Sequence, residues 1–81
     1  MQTPWLKPVV VLIGDPPVET PIATTQGASW LLIEDWPLEE GPALTRALAM
    51  CAGVLERKNK PDEAREAFVE AAREAGVLAK A

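Results

Sequence analysis

The chain has 81 residues, of which 48% are hydrophobic and 25% are charged. This balance is typical of a packed globular domain and argues against a disordered or fibrous chain. The net charge is −4. Because affinity for nucleic acid depends on basic groups that neutralise phosphates, this charge disfavours DNA or RNA as a partner.

The sequence predicts neither a membrane span nor an export signal. The longest strictly apolar run, at residues 47–52, has six residues, whereas a helix needs about 20 apolar residues to cross a bilayer. The first residues lack the basic and then apolar pattern of a signal peptide. Cys51 is the single cysteine, so an internal disulfide is excluded, which suits a reducing compartment. We therefore expect a cytoplasmic protein.

Two β-strands are predicted at the start of the chain. The β-branched run at residues 9–13 follows Pro8 and stops at residues 14–17, which suit a turn. Residues 18–22 predict the second strand. Pro21 has no amide hydrogen to donate to a neighbouring strand, and this second strand should therefore lie at an edge of the sheet.

The first predicted helix follows directly. Thr24 or Thr25 can cap it, because a threonine hydroxyl accepts a hydrogen bond from an amide of the first helical turn. The helix should run to about Asp35, since Pro37 disfavours helical geometry at the residue before it.

Two further helices are predicted in the second half. Apolar residues recur at helical spacing from Ala43 to about Lys58, which indicates an amphipathic helix. Pro61 suits the first position of the last helix, and Gly76 suits its end. The apolar residues 77–79 are expected to dock on the body of the protein.

Together these elements predict an α+β fold, in which a two-stranded antiparallel β-hairpin is followed by three α-helices (ββααα). We expect one domain over residues 1–81, because a chain of this length builds a single core. The predicted core residues are Val9, Val11, Ile13, Ile22, Leu31, Leu32, Leu44, Leu48, Leu55 and Phe68.

Four features, taken in order, resemble the domain of unknown function 982 family, whose members are small bacterial proteins common in rhizobia and their relatives. The features are Pro8-Val9 in the first strand, Ile-Glu-Asp-Trp-Pro at 33–37, Cys51 in a helix, and an Ala-Arg-Glu-Ala-Phe helix that ends in Ala-Gly over residues 64–76. They span nearly the whole chain. Since the family has no established activity or substrate, the resemblance implies no catalytic residue.

The composition argues against an enzyme. The chain has no His and no Tyr, which removes the commonest general base, a common metal ligand and the phenolic acid. Cys51 falls on the apolar face of the second helix, where a thiol stays protonated, so we expect a core residue and not a nucleophile. The glycines are too dispersed for a phosphate-binding loop. We predict no catalytic residue, no cofactor and no metal.

Two clusters of charged residues are candidate ion sites. The acidic cluster could offer oxygens to Ca²⁺ or Mg²⁺, but its spacing matches no cation-binding loop, and a solvated connector is favoured. The basic cluster lies where the second helix should end, and its simplest role is to offset the exposed carbonyls there, with phosphate binding as the lesser alternative. The clusters are Glu34, Asp35, Glu39, Glu40 and Arg57, Lys58, Lys60.

The sequence carries more apolar surface than so small a body can bury. Val10 and Leu12 point to the side of the first strand opposite its other apolar residues, and Trp30 and Ile33 project away from the buried side of the first helix. The leading hypothesis is a non-enzymatic protein-interaction module, homodimeric through these four residues. The opposing interpretation is that the second and third helices wrap both sheet faces and that Trp30 is a single exposed side chain.

Two other functions are alternatives. The first is a regulator that binds a small ligand in a pocket between the first helix and the hairpin, with Trp30 or Trp36 as a wall. The second is a nucleic-acid-associated regulator. Its basic residues would be Arg57, Lys58, Lys60 and Arg65.

Overall fold

The computed structural model describes residues 4–81, which form an α+β fold of three helices and an antiparallel sheet. In chain order the elements are β1 (Pro4–Ile13), β2 (Val18–Thr24), α1 (Thr25–Glu34), α2 (Pro42–Leu55), α3 (Pro61–Ala75) and β3 (Leu78–Lys80). The predicted fold class is confirmed, but the sheet has three strands and not two. No helix in the described range is long and apolar enough to cross a membrane.

The sheet has the strand order β2-β1-β3, with β1 antiparallel to both neighbours. β1 and β2 pair residue by residue from Val9, which lies opposite Ile22, to Ile13, which lies opposite Val18, so side chains alternate between the two faces there. The pairing shifts register between Pro4 and Val9. β2 lies at an edge, as Pro21 predicts, because that residue cannot donate to a further strand.

The sheet contains a third strand, β3, that the predicted two-stranded hairpin lacks. After Gly76 the chain returns along β1: the Leu12 amide donates to the Val77 carbonyl at 2.8 Å, and Leu78 lies opposite Val11. β3 has only three residues, too few to show the alternation that identifies a strand. For this reason the sequence predicted docking of this segment and missed its pairing.

Helices α1 and α3 begin and end where their capping residues predict. The Thr24 hydroxyl accepts from the Gly27 amide at 2.9 Å, and α1 ends at Glu34. α3 starts at Pro61 and is closed by Gly76, whose φ of 71° lies in the left-handed region that glycine adopts without strain. These predictions are confirmed.

The second helix ends earlier than its apolar periodicity predicts, at Leu55 and not near Lys58. Arg57 takes a φ of 65°, and the amides of Lys58 and Asn59 both donate to the Gly53 carbonyl, at 2.7 and 3.2 Å. A Cβ at Gly53 would overlap the Asn59 side-chain amide. The chain therefore folds back across the last turn of α2 and cannot continue the helix.

All three helices lie on one side of the sheet. α1 packs on β2, α3 packs on β1 and β3, and α2 packs mainly against the other two helices. Val9 and Val11 of the sheet, Cys51 of α2 and Phe68 of α3 are fully buried between these layers. The second and third helices therefore do not wrap both sheet faces.

Most of the predicted core is confirmed. Ile13 and Leu48 are partly buried against the core. The prediction for Leu55 is wrong, because this residue is 45% exposed at the point where α2 ends. The sequence also missed Trp5, which is buried in the early part of β1, before the strand that was predicted. The confirmed core residues are Val9, Val11, Ile22, Leu31, Leu32, Leu44 and Phe68.

Candidate functional site

Helix α1 carries an exposed apolar pair, Trp30 and Ile33, which we name the α1 patch. Their side chains are 68% and 67% exposed, and residues three apart on a helix lie on the same side. Ala28, Leu31 and Leu32 of the same helix are buried in the core. The helix is thus apolar on two sides, and the protein covers one of them.

A second apolar surface is the outer sheet face, formed by Val10 and Leu12 on the side of β1 away from the helices. Both residues are half-buried. Pro21 lies opposite Val10 and Glu19 opposite Leu12, and both are exposed. Val10 and Leu12 each expose a smaller fraction of their surface than Trp30 and Ile33 do, and Glu19 places a charge beside them.

The structure does not bring the four predicted interface residues together. α1 packs on the helix side of the sheet, where Ile22 is buried with Ala28, whereas the outer sheet face points the opposite way. The α1 patch and the outer sheet face are therefore two separate candidate surfaces.

Of the three tryptophans, only Trp30 is exposed. Trp5 is buried, and its indole nitrogen donates to the hydroxyl of the fully buried Thr25 at 3.1 Å. The rings of Trp5 and Trp36 lie 5.7 and 5.5 Å from the ring of Phe68, a distance typical of aromatic packing. The indole nitrogen of Trp36 is buried with no hydrogen-bond partner among the described residues.

A cavity of about 430 Å³ lies where the hairpin turn meets the end of α1 and the start of β3. This is close to the place predicted for a ligand pocket, but neither Trp30 nor Trp36 lines it. Its walls include the apolar residues Leu12, Ile13 and Val77. The charged residues that line it are Asp15 and Asp35. The cavity could hold a small, mainly apolar molecule, without the tryptophan wall that the sequence predicted.

Cys51 is buried in the core, as predicted. Burial raises the pKa of its thiol from 9.0 to about 11, because a low-dielectric surrounding disfavours the thiolate. The thiol is therefore protonated at neutral pH and makes a poor nucleophile. Within residues 4–81, no three carboxylates or thiols come close enough to hold a metal ion, the acidic connector included.

The basic residues predicted for a nucleic-acid surface differ in their partners. Lys58 forms an exposed ion pair with Glu56 at 3.1 Å near the end of α2. The Arg65 Nε atom instead donates to the Lys7 carbonyl at 2.9 Å, and Arg65 lines a groove with Arg46 and Arg73. The sequence contained only a faint signal of that groove: Arg65 and Arg73 are about two helical turns apart, but nothing local places Arg46 beside them.

Comparison with known proteins gives a family and a solved relative. The family model described as "Protein of unknown function (DUF982)" matches residues 7–79. The NMR structure of the Agrobacterium tumefaciens protein Atu1219 is similar to this chain with a TM-score of 0.76 and 28% sequence identity, over 98% of this chain and 78% of that one. No curated protein matches the sequence.

Proposed function

Because the chain belongs to the DUF982 family, which is described as proteins of unknown function, we propose its function from its surface: it is a non-enzymatic protein-interaction module that forms a homodimer through the α1 patch. The observation that carries this proposal is the exposure of Trp30 and Ile33, side by side on a helix whose other side is already in the core. Large aromatic residues are enriched at the energetic centres of protein interfaces.

A second copy of the chain is the partner that needs the fewest assumptions. A two-fold axis pairs a surface with itself, so an apolar patch automatically meets an apolar patch, and two-fold dimers are the commonest oligomers. In such a dimer the two α1 helices would cross, and Trp30 of each copy would pack near Ile33 of its mate.

The size of the patch sets the expected affinity. Burying a large apolar side chain contributes about 1.5–3 kcal/mol, so two partly exposed residues in each of two copies contribute roughly 4–8 kcal/mol. Association costs an estimated 4–15 kcal/mol before any net affinity appears. In the best case these residues leave about 4 kcal/mol, which corresponds to a dissociation constant near 1 mM. We therefore expect a weak dimer, and any tighter affinity has to come from contacts around the patch.

The α1 patch is a better candidate than the outer sheet face. Val10 and Leu12 are half-buried by their own sheet and have little further surface to lose, whereas about two thirds of each side chain in the α1 patch is exposed. Pairing through the β2 edge is also hindered, because Pro21 offers no amide to a neighbouring strand.

Two observations support a role without catalysis. The sequence has no His and no Tyr, and burial keeps the Cys51 thiol protonated at neutral pH by raising its pKa to about 11. The protein thus lacks the usual general base and an accessible thiolate nucleophile.

Sedimentation equilibrium of the wild type and the double variant Trp30→Glu/Ile33→Glu tests the proposal. We expect the wild type to show a concentration-dependent dimer and the double variant to be monomeric, since two buried carboxylates per copy oppose association. Val18→Glu/Leu55→Glu is the matched control, because it places the same two charges on other exposed apolar residues, and it should dimerise like the wild type. A wild type that stays monomeric up to millimolar concentration would contradict the proposal.

A further inference from the structure

A groove with a cavity volume of about 350 Å³ runs along the outward side of α3. Its floor includes Val69, which is buried, and its wall on the α2 side is Arg46. Arg65 and Arg73 stand along α3 within the same groove. The groove lies away from the α1 patch, since no residue of α1 lines it.

The groove concentrates guanidinium groups in a chain that is otherwise acidic. Three of the four arginines line it, although the net charge of the chain is −4. Glu66, Glu70 and Ala81 line it as well. The three arginines exceed the two glutamates by one charge, and a free carboxylate at Ala81 would compete with a ligand for the arginines. Arginines can present a rigid fork of donors that matches the two oxygens of a carboxylate or phosphate.

The hydrogen-bond partners show which of these donors are free. Arg73 is held by Glu70, with 3.2 Å between Nη1 and Oε1. Arg65 is fixed through its Nε atom, which donates to the Lys7 carbonyl at 2.9 Å, and its two terminal nitrogens have no acceptor among the described residues. Arg46 makes no hydrogen bond or ion pair with any of residues 4–81. Two guanidinium groups therefore offer unused donors to one groove, and one of them is already anchored in place.

We propose that this groove binds a small organic anion that carries a carboxylate or a phosphate group. Arg46 and Arg65 hold the anionic group from the two sides of the groove, and Arg73, paired with Glu70, lines the same groove. The carbon part of the ligand lies against Val69. Glu66 narrows the range of ligands, because its carboxylate repels a second negative charge nearby.

The test is a titration followed by the backbone amide NMR signals of the uniformly labelled protein. Inorganic phosphate and butyrate, which carries a single carboxylate, are added separately, with sodium chloride at equal ionic strength as the reference. We expect a saturable shift of the amides of residues 46, 65, 69 and 73 with at least one of the two anions, and the anion that binds more tightly identifies phosphate or carboxylate as the preferred group. Chloride at the same ionic strength should leave those amides unmoved.

Variants localise the binding. Arg46→Gln and Arg65→Gln should each weaken it by about tenfold, as expected for the loss of one charged donor pair, whereas Arg57→Gln, which removes an arginine outside the groove, should leave the affinity unchanged. Arg46 is exposed and has no described partner, so its variant keeps the fold.

The proposal is overturned if neither anion gives a saturable shift, or if Arg57→Gln weakens binding as much as Arg46→Gln. The monomeric Trp30→Glu/Ile33→Glu variant should bind as the wild type does, which separates this result from that for the dimer.

Discussion

The carboxylate of Glu74 caps a helix other than its own. Its two oxygens accept from the amides of Ala43 and Leu44, at 3.0 and 3.1 Å, at the start of α2. The residue before α2, Gly41, has no side chain to do this, and a Cβ at that position would overlap the Glu74 carboxylate. A charged acceptor at the positive end of a helix also stabilises it through the helix dipole. One side chain therefore ties α3 to the first turn of α2.

Removing this cap should destabilise the protein. We expect Glu74→Ala to lower the free energy of unfolding by about 1–2 kcal/mol, the usual effect of losing a helix cap, and Glu74→Gln to lower it by roughly half as much, because one oxygen remains as an acceptor. Urea denaturation at fixed protein concentration measures both.

The control for this prediction is Glu66→Ala, which removes an exposed carboxylate from the same helix. It should stay within about 0.5 kcal/mol of the wild type. A Glu74→Ala variant as stable as the Glu66→Ala variant would show that the two hydrogen bonds to α2 contribute nothing net.

At the scale of the helix, α2 and α3 end with the same backbone geometry but with different residues. Gly76 closes α3 with a φ of 71°, and Arg57 follows α2 with a φ of 65°. A side chain makes the left-handed region unfavourable, whereas glycine adopts it freely. The amides of Arg57 and Lys58 donate to the carbonyls of Val54 and Gly53, at 3.0 and 2.7 Å, which is the hydrogen-bond pattern of a helix that ends in this way.

The variant Arg57→Gly should therefore stabilise the protein. We expect the free energy of unfolding to rise by about 0.5–1 kcal/mol, since relief of the left-handed strain exceeds the entropy that glycine adds to the unfolded chain. Lys58→Gly is the matched control: it removes a basic residue at the next position, whose φ is not positive, and it should lower stability. Thermal unfolding of both variants distinguishes these outcomes, and a destabilised Arg57→Gly protein would contradict the prediction.

At the scale of the whole molecule, charge should oppose the proposed dimer. Each copy has a net charge of −4, and the exposed Glu34 and Asp35 directly follow Ile33 in the sequence. A two-fold axis at the α1 patch would bring these carboxylates near their counterparts in the other copy. Repulsion of this kind is screened by salt, because the Debye length falls from about 30 Å at 0.01 M to about 10 Å at 0.1 M.

Dimerisation should accordingly strengthen as sodium chloride is added across that range. We expect the dissociation constant to fall by about threefold to tenfold, and the double variant Glu34→Gln/Asp35→Asn to bind more tightly and to lose most of this dependence. Sedimentation velocity at several salt concentrations provides the measurement. A dimer that weakens with added salt would instead indicate an interface held by opposite charges.

Part of this structure follows from short-range chemistry that a sequence shows directly. Thr24, Pro61 and Gly76 set helix ends through hydrogen bonds and backbone angles within a few residues of themselves, and their predictions are confirmed. The apolar period likewise placed Leu31, Leu44 and Phe68 in the core. The exposure of Trp30 and Ile33 agrees with the same helical geometry, although their role as an interface stays a prediction.

The α+β class, the helix starts and most of the buried residues therefore follow from the order of the amino acids alone, since propensity, capping and periodicity act over one or two turns. Contacts between distant segments follow only from the packed fold: β3 joins β1, Glu74 caps a helix about 30 residues earlier, and Arg46 lines a groove with two arginines of α3. The exposure of Leu55 could not be predicted for the same reason, because it depends on where the chain folds back after α2. Such contacts depend on the packing of whole elements, and no local pattern records them.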